Sequence, residues 1–441
     1  MRKVLAVLAA CAVGAAVYAQ PTREVRLDER HPSLELVGYG SDTKGGMGGA
    51  VIKVTNLHAD GDGSFKAALE AEGPRIIVFE VGGVIDLEKQ QIKVKNPYVT
   101  IAGQTAPSPG ITCIRGGLTL DTHDIVMQHI RFRMGDAGAE PGSGYEPEIS
   151  TSAHANAYNI VIDHCSVSWG VDENLSVSGT RGGNGTKSPH DVTLSYNFIS
   201  EGLRYSVHSK TKSKHMDHSM GTLVMDDVKR VAVIGNYYAH NSERNPWYKA
   251  NSSGVVVNNL IYDPGTWAIR LSWIPKEWKN VKDEKPGTPV VSIVGNYEKE
   301  GPSTKVAAMV GSNYPENHES GYLEDNICVR ADGTQGKVTD PSIPIDQLEQ
   351  RPIWIEGLDV IPANEVPDYI LKWAGARPAD RDETDLRLID EFSKGTGRII
   401  DSQDEVGGYP VAAPTYRKLD VPDEHIGQWL EGFTKAVMGL E

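Results

Sequence analysis

The chain has 441 residues, 46 of them glycine, and a formal net charge of −15. So strong an acidic excess argues against nonspecific nucleic-acid binding, which needs a surplus of cations. It admits an acidic ligand only where a metal ion or a local basic cluster neutralises it. The glycine content and the scarcity of long helical patterns favour a turn-rich β protein.

Residues 1–19, MRKVLAVLAACAVGAAVYA, combine a basic start at Arg2 and Lys3, an apolar run and the small-residue pattern Val17-Tyr18-Ala19. That is the layout of a secretory signal peptide, so cleavage after Ala19 and secretion are expected, which takes the net charge to −17. Leu8-Ala9-Ala10-Cys11 resembles a lipoprotein box, but apolar residues continue past it, and anchoring at Cys11 is the less favoured reading. No other stretch is apolar enough to span a bilayer. Cys113, Cys165 and Cys328 remain in the mature chain, an odd number without CxxC spacing. Buried thiols are expected rather than a disulfide framework or a zinc site.

Ser64 before FKAALEAE reads as an N-cap and a short helix, placed to cover the open end of a repeat array. From Tyr98 one pattern then recurs: alternating apolar residues, a polar turn carrying Asn, His or Gln, and a second apolar run. The copies are YVTIAGQ from Tyr98, IVMQHIRF from Ile125, IVIDHCSV from Ile160, VTLSYNFI from Val192, VAVIGNYY from Val231, VVVNNLIY from Val255 and VSIVGNYE from Val291. They lie 24 to 39 residues apart. Strands of period two recurring in one direction without helices between them predict an all-β parallel β-helix, a solenoid, over 20–339. The turn Asn and His residues are expected to stack as ladders. From about Asp340 the pattern changes to helix and turn, so 340–441 is read as a partly helical tail packing along the solenoid.

A coil needs only about 20–25 residues, so the surplus must leave as loops on one flank. The largest are 134–150, 169–188 and 200–221. They carry Glu146 and Glu148, then Asp172 and Glu173, then Arg204, Lys210, Lys212, Lys214, His215 and His218; Arg244 and Lys249 follow one coil later in SERNPWYK. Carboxylates converging from stacked loops suit a Ca²⁺ site, whose ligands are hard oxygens. Cations on the same face suit an acidic polysaccharide. One reaction uses both: removing the proton α to a uronate carboxylate forms an enolate-like dianion, which a divalent cation and fixed cations hold. On a 4-linked uronan the outcome is β-elimination. Pro246 is expected to keep Asn245 extended and so to fix the exit of Arg244.

IVIDHCSVSW and RNPWYK resemble two signatures of the extracellular pectate lyase superfamily, polysaccharide lyase family 1. GYGSDTKGGMGG, TIAGQTAPSPGI, WGVDENLS and GTGRIIDSQDEVGGYP look like its bacterial members. The resemblance runs from about Gly38 to Pro410. It implies a right-handed helix, Ca²⁺ as cofactor and a plant or algal acidic polysaccharide as partner. It further implies Arg244 as the catalytic base with Lys249 beside it, and a substrate-binding lysine that is Lys210 or Lys214, Lys210 preferred; Arg204 and His218 of the same cationic loop are expected at the substrate. Asp172, Glu173 and Glu148 are the implied metal ligands, and Asp163 with His164 the scaffold pair. Three positions depart from the family pattern. Lys249 stands for a second arginine, Glu146 or Glu148 replaces an absent aspartate, and Ser176 occupies a place where a carboxylate often stands. A β-helix glycoside hydrolase and a non-catalytic polysaccharide-binding solenoid are the alternatives. A monomer is expected.

Overall fold

In the repeat VAVIGNYY, every second residue has a different destination. Val231 and Val233 point into a central core with Val256, Ile293 and Val192, while Ala232 and Ile234 join an outer cluster with Val255 and Val257. A strand buried on both faces needs this unbroken β-branched composition. In the computed structural model, which describes residues 31–183, 185–210, 216–282 and 284–440, each coil contributes one strand to each of three sheets. Tyr158–Asp163, Ser166–Ser168 and Leu175–Val177 form one such coil. His190–Ser195, Phe198–Ser200 and Leu223–Val224 stack on it in parallel register, with Ile160 opposite Val192 and Val167 opposite Ile199. Among the described residues the sheets have eleven, ten and eight strands, all of the solenoid pairings parallel. The residues of the expected leader, 1–19, lie outside the described residues.

Two features make the tight corner between the eleven- and ten-stranded sheets. The residue at the bend takes a left-handed conformation, as at His164, Tyr196, Gly235, Asn258 and Gly295. His164 therefore sits at a corner, in the polar turn of the repeat just beyond the strand ending at Asp163. The next residue is the ladder position. Asn197 donates through Nδ2 to Asn236 Oδ1 at 3.0 Å, Asn236 to Asn259 at 3.0 Å, Asn259 to Asn296 at 2.9 Å and Asn296 to Asn326 at 2.9 Å. Each amide also bonds buried backbone, so the corner's polar groups are satisfied inside the protein.

Ser64 caps the helix Phe65–Glu70, its Oγ accepting from Ala67 N, and Phe65 and Leu69 enter the core. Cys113, Cys165 and Cys328 are free and buried. Beyond the last coils the chain runs back over the outside. Ile353, Trp354 and Val360 cover the eleven-stranded sheet. The helices Val366–Trp373 and Glu383–Lys394 bury Ile370, Trp373, Leu388 and Phe392 against Phe198, Tyr237, Leu260 and Tyr262 of the ten-stranded sheet. Arg133, fully buried, pairs with Asp382 at 2.9 Å and Asp385 at 2.7 Å beneath the second helix. The helix Ile426–Met438 and Leu419 close over Ile76 and Val78, and Thr415–Tyr416 pairs antiparallel with Val81 and Gly82. The outer face of the eight-stranded sheet carries a groove instead.

Candidate active site

Along the eight-stranded sheet the inward residues are Leu175, Val177, Val224 and Tyr248, and the outward ones are Ser176, Leu223, Trp247 and Arg270. These outward side chains floor a groove of about 900 Å³. Trp247 and Arg270 are register partners on successive coils, and the guanidinium lies 3.9 Å from the indole centroid. Arg244 and Lys249 also approach that ring, at 5.5 and 5.2 Å. One indole thus lies among three cations, where its π faces offset part of their mutual repulsion. Burial pushes the Arg270 guanidinium down to about 10, with Glu243 opposing and Arg244 adding to the fall.

The walls come from the loops that join the ten- and eight-stranded sheets. Asp172 and Glu173 lie in one loop, and Arg244 occupies the same turn two coils on, with Met220 bridging Glu173 and Glu243 between them. Arg244 reaches back across that coil to Asp172 Oδ1 at 3.2 Å and to Glu173. Its backbone is left-handed, and the Asn245–Pro246 bond is cis rather than the plain extended link expected from sequence. Asn245 is fixed by its side-chain amide, which donates to Trp267 O at 3.0 Å and accepts from Asn241 at 3.1 Å. Asn174 in turn donates to Asn241, so three amides pin the two loops together.

Asp172 collects further donors. His218 Nε2 lies 2.7 Å from Oδ1, and His208 Nε2 is 3.6 Å from Oδ2 and 3.1 Å from Glu146. The two imidazoles stack at 3.9 Å. Although burial opposes it, His218 and Arg244 hold the Asp172 carboxyl well below the usual range. Glu148, partly buried, receives Ser176 Oγ at 3.0 Å. Burial pushes its carboxyl up to about 7 and Asp172 adds to the rise, while Ser150 and Ser176 resist it.

These groups offer two donor sets for a cation. The ligand atoms of Asp172, His208 and His218 lie within 4.8 Å of one another. However, the backbone N–H of Lys210 donates to His208 Nδ1 at 3.0 Å, which leaves the proton on Nε2. In that tautomer the His208 Nε2–H faces Glu146 and offers no lone pair to a metal. The carboxylates fit better. Glu148 and Asp172 face each other from adjacent coils with Glu173 beside them, and their mutual repulsion is the condition a hard cation relieves.

Of the residues singled out from sequence, Arg244, Lys249, Lys210, His218, Asp172, Glu173 and Glu148 line this one groove. Lys249 is buried, 3% exposed, and bound between Asp226 and Glu277. Arg204 lies in a neighbouring pocket with Ser303 and Arg398, paired to Asp401 at 2.9 Å. Lys214 lies outside the described residues. Asp163 and His164 are away from the groove wall: Asp163 accepts from Gln128 and Ser195 and pairs with His164, whose ring stacks between His129 and Tyr196. Sequence reasoning missed Arg181, His208, Asp226, Arg270 and Glu277. Arg270 was within reach, since superposing the repeats places it on the rung after Trp247. Asp226 and Glu277 carry no local signature.

A solenoid of three parallel sheets with a charged groove on one of them defines the class, a parallel β-helix. No family model matches the chain. It is 33% identical to the probable pectate lyase C of Emericella nidulans over 380 residues, which is 84% of this chain and 78% of that protein. To the probable pectate lyase C of Aspergillus flavus it is 30% identical over 378 residues, 84% of this chain and 80% of the other. The chain belongs to the pectate lyase family and is a polysaccharide lyase. Among solved structures, the cedar pollen allergen jun a 1 superposes with a TM-score of 0.52 at 18% identity, covering 76% of this chain and 91% of its own. A pectate lyase bound to a hexasaccharide gives 0.51 at 13% identity, covering 77% and 96%. Both share the right-handed parallel β-helix fold.

Proposed function

We propose that the chain is a secreted pectate lyase that cleaves 4-linked polygalacturonate by β-elimination with the help of Ca²⁺. The observation that carries this reading is the placement of Arg244 in the groove against the cluster of Glu148, Asp172 and Glu173. In the reaction, the proton on C5, α to the uronate carboxylate, passes to Arg244. The electron pair it leaves forms the C4–C5 double bond, and the C4–O bond breaks with its pair going to the leaving sugar's oxygen. A guanidinium is normally fully protonated, so this role predicts an alkaline optimum.

Glu148, Asp172 and Glu173 would hold the divalent cation, which supplies charge neutralisation for the substrate carboxylate when bound. The same Asp172 and Glu173 restrain Arg244, so the ligands and the base share one set of contacts. Asp172 is positioned in turn by His218 and Arg244. Lys210, on the groove wall, and the Arg270–Trp247 stack supply fixed cationic surface for neighbouring uronates. Hydrolysis and passive binding, both open on sequence, give way to elimination once the chain is placed among the pectate lyases.

Secretion is supported by the leader sequence, and no helix among the described residues is long and apolar enough to cross a membrane. The test is the ultraviolet absorbance of unsaturated product from polygalacturonate, with added Ca²⁺ and with chelator. A rise that chelator abolishes supports the reading. A rise indifferent to chelator removes Ca²⁺ from it, and release of saturated reducing ends alone sinks elimination.

A further inference from the structure

Arg181 and Lys249 line the groove together and share the same two acceptor atoms. Asp226 Oδ2 lies 2.8 Å from Arg181 Nε and 3.3 Å from Lys249 Nζ. Glu277 Oε2 lies 2.6 Å from Arg181 Nη2 and also contacts Lys249 Nζ.

The two carboxylates are not equivalent. Asp226 is wholly buried, its side chain 0% exposed, and its second oxygen accepts the Trp278 indole N–H at 3.1 Å. Glu277 is 32% exposed and lines the groove from a helix of only four residues, Pro275–Trp278. Among the described residues, Arg181 and Lys249 are the groups bonded to its carboxylate. Asp226 is thus a permanent counter-ion, locked by packing and a third donor. Among the described residues no third donor reaches the Glu277 carboxylate, and it is the more exposed of the two acceptors.

A carboxylate held jointly by a guanidinium and an ammonium is the contact that a uronate presents when it enters such a groove. We propose that Glu277 is a displaceable internal counter-ion, which holds the Arg181–Lys249 pair in the free protein and yields its place to a uronate carboxylate of the bound polysaccharide. The proposal rests on the uronan-lyase reading above and adds a subsite to it. With Glu277 turned out, two cations face one anion, Asp226, and the surplus charge of one matches a single uronate. The exchange is carboxylate for carboxylate, so neither cation is left buried without a partner at either end of the step. Arg181, 27% exposed and with Nη1 unbonded among the described residues, keeps donors free for the incoming group. A methyl-esterified uronate brings no charge and cannot displace Glu277, so this subsite selects for free acid.

A double-mutant cycle on the full chain tests this, with KM for polygalacturonate as the readout. Glu277→Gln removes the competitor's charge and keeps its shape, and KM is expected to fall about threefold or more. In an Arg181→Gln background the same change is expected to leave KM where it was, because the subsite is already lost. On highly methyl-esterified pectin the gain should shrink. An unchanged or raised KM in Glu277→Gln overturns the proposal. So does a fall of equal size in both backgrounds, which would mean general repulsion of an anionic polymer. Thermal midpoints of all four proteins show whether each is folded, and Arg181→Lys replaces Arg181→Gln if the latter is not. If the wild-type protein forms no unsaturated product, the lyase reading falls separately. The cycle is then read from retardation in polygalacturonate-containing gels, where absence of the same coupling overturns the subsite as well.

Discussion

Glu298 sits where a carboxylate is least welcome. It points into the solenoid on the rung between Ile261 and Cys328, is fully buried, and among the described residues neither of its carboxyl oxygens has a hydrogen-bond partner. Burial, reinforced by Glu300, pushes its carboxyl from 4.5 up to about 8. The folded chain therefore keeps the proton while the unfolded chain releases it above pH 4.5. Stability should fall as pH rises from about 4.5 to about 8 and level off beyond. At about 1.4 kcal/mol per unit, the cost at pH 7 is on the order of 3 kcal/mol. Glu298→Gln removes the titration and keeps the size. Chemical denaturation at half-unit steps from pH 4.5 to 9 should show the variant gaining on the parent across that window, by an amount approaching this figure near neutrality. A difference that does not change with pH would refute the argument, whatever its sign, because an unpartnered amide carries a cost of its own that is independent of pH.

Three further outcomes are expected. Asn259→Ala breaks the ladder at a rung where the side chain bonds Asn236, Val233 O and Asn296, and should cost on the order of 2–4 kcal/mol in denaturant melts; a loss under about 1 kcal/mol would make the ladder ornamental. Buried His240 lies between Asp263 at 2.8 Å and Glu391 at 3.3 Å. Against the penalty of burial these raise it from 6.5 to about 9. Its contribution is complete below about pH 6.5 and lost as pH rises through 9, so the gap between His240→Gln and the parent should narrow from pH 6 to pH 10. Arg244→Ala should lower turnover of polygalacturonate by about a hundredfold or more while the protein still migrates slowly in polygalacturonate gels; equal loss of both would make Arg244 a binding residue only.

Most of the solenoid was legible because its signal is local and repeated. Val231 and Val233 alternate within five residues, and the ladder Asn follows each bend at a fixed offset. The same logic put the cations and the carboxylates on one flank of the solenoid, and the contact of Arg244 with Asp172 and Glu173 is what the structure adds. What escaped notice depends on insertions with no counterpart in the repeat. Glu277 arrives on a four-residue helix between two coils, and nothing near it in sequence announces Lys249 or Arg181. The burial of Lys249 was equally hidden, because a lysine in a polar loop reads as exposed until Asp226, more than twenty residues away in the chain, is set beneath it. His208 shows the opposite limit. Its place beside His218 follows from their shared loop, but its tautomer depends on one backbone N–H of Lys210.

The returning C-terminal segment also works as a ruler. It touches the first coils through Tyr416 and Val81, the middle through Asp385 and Arg133, and the later coils through Ile361 and Asn258. Arrays of repeats ordinarily lengthen or shorten by whole units, because each unit answers only to its neighbours. Here one added coil would displace everything beyond it by about 4.8 Å along the axis. Contacts on one side of the insertion would hold only if those on the other were abandoned. The number of turns is consequently measured off by the tail, and with it the distance between Glu148 and Arg270, the span over which an extended sugar chain must find its contacts.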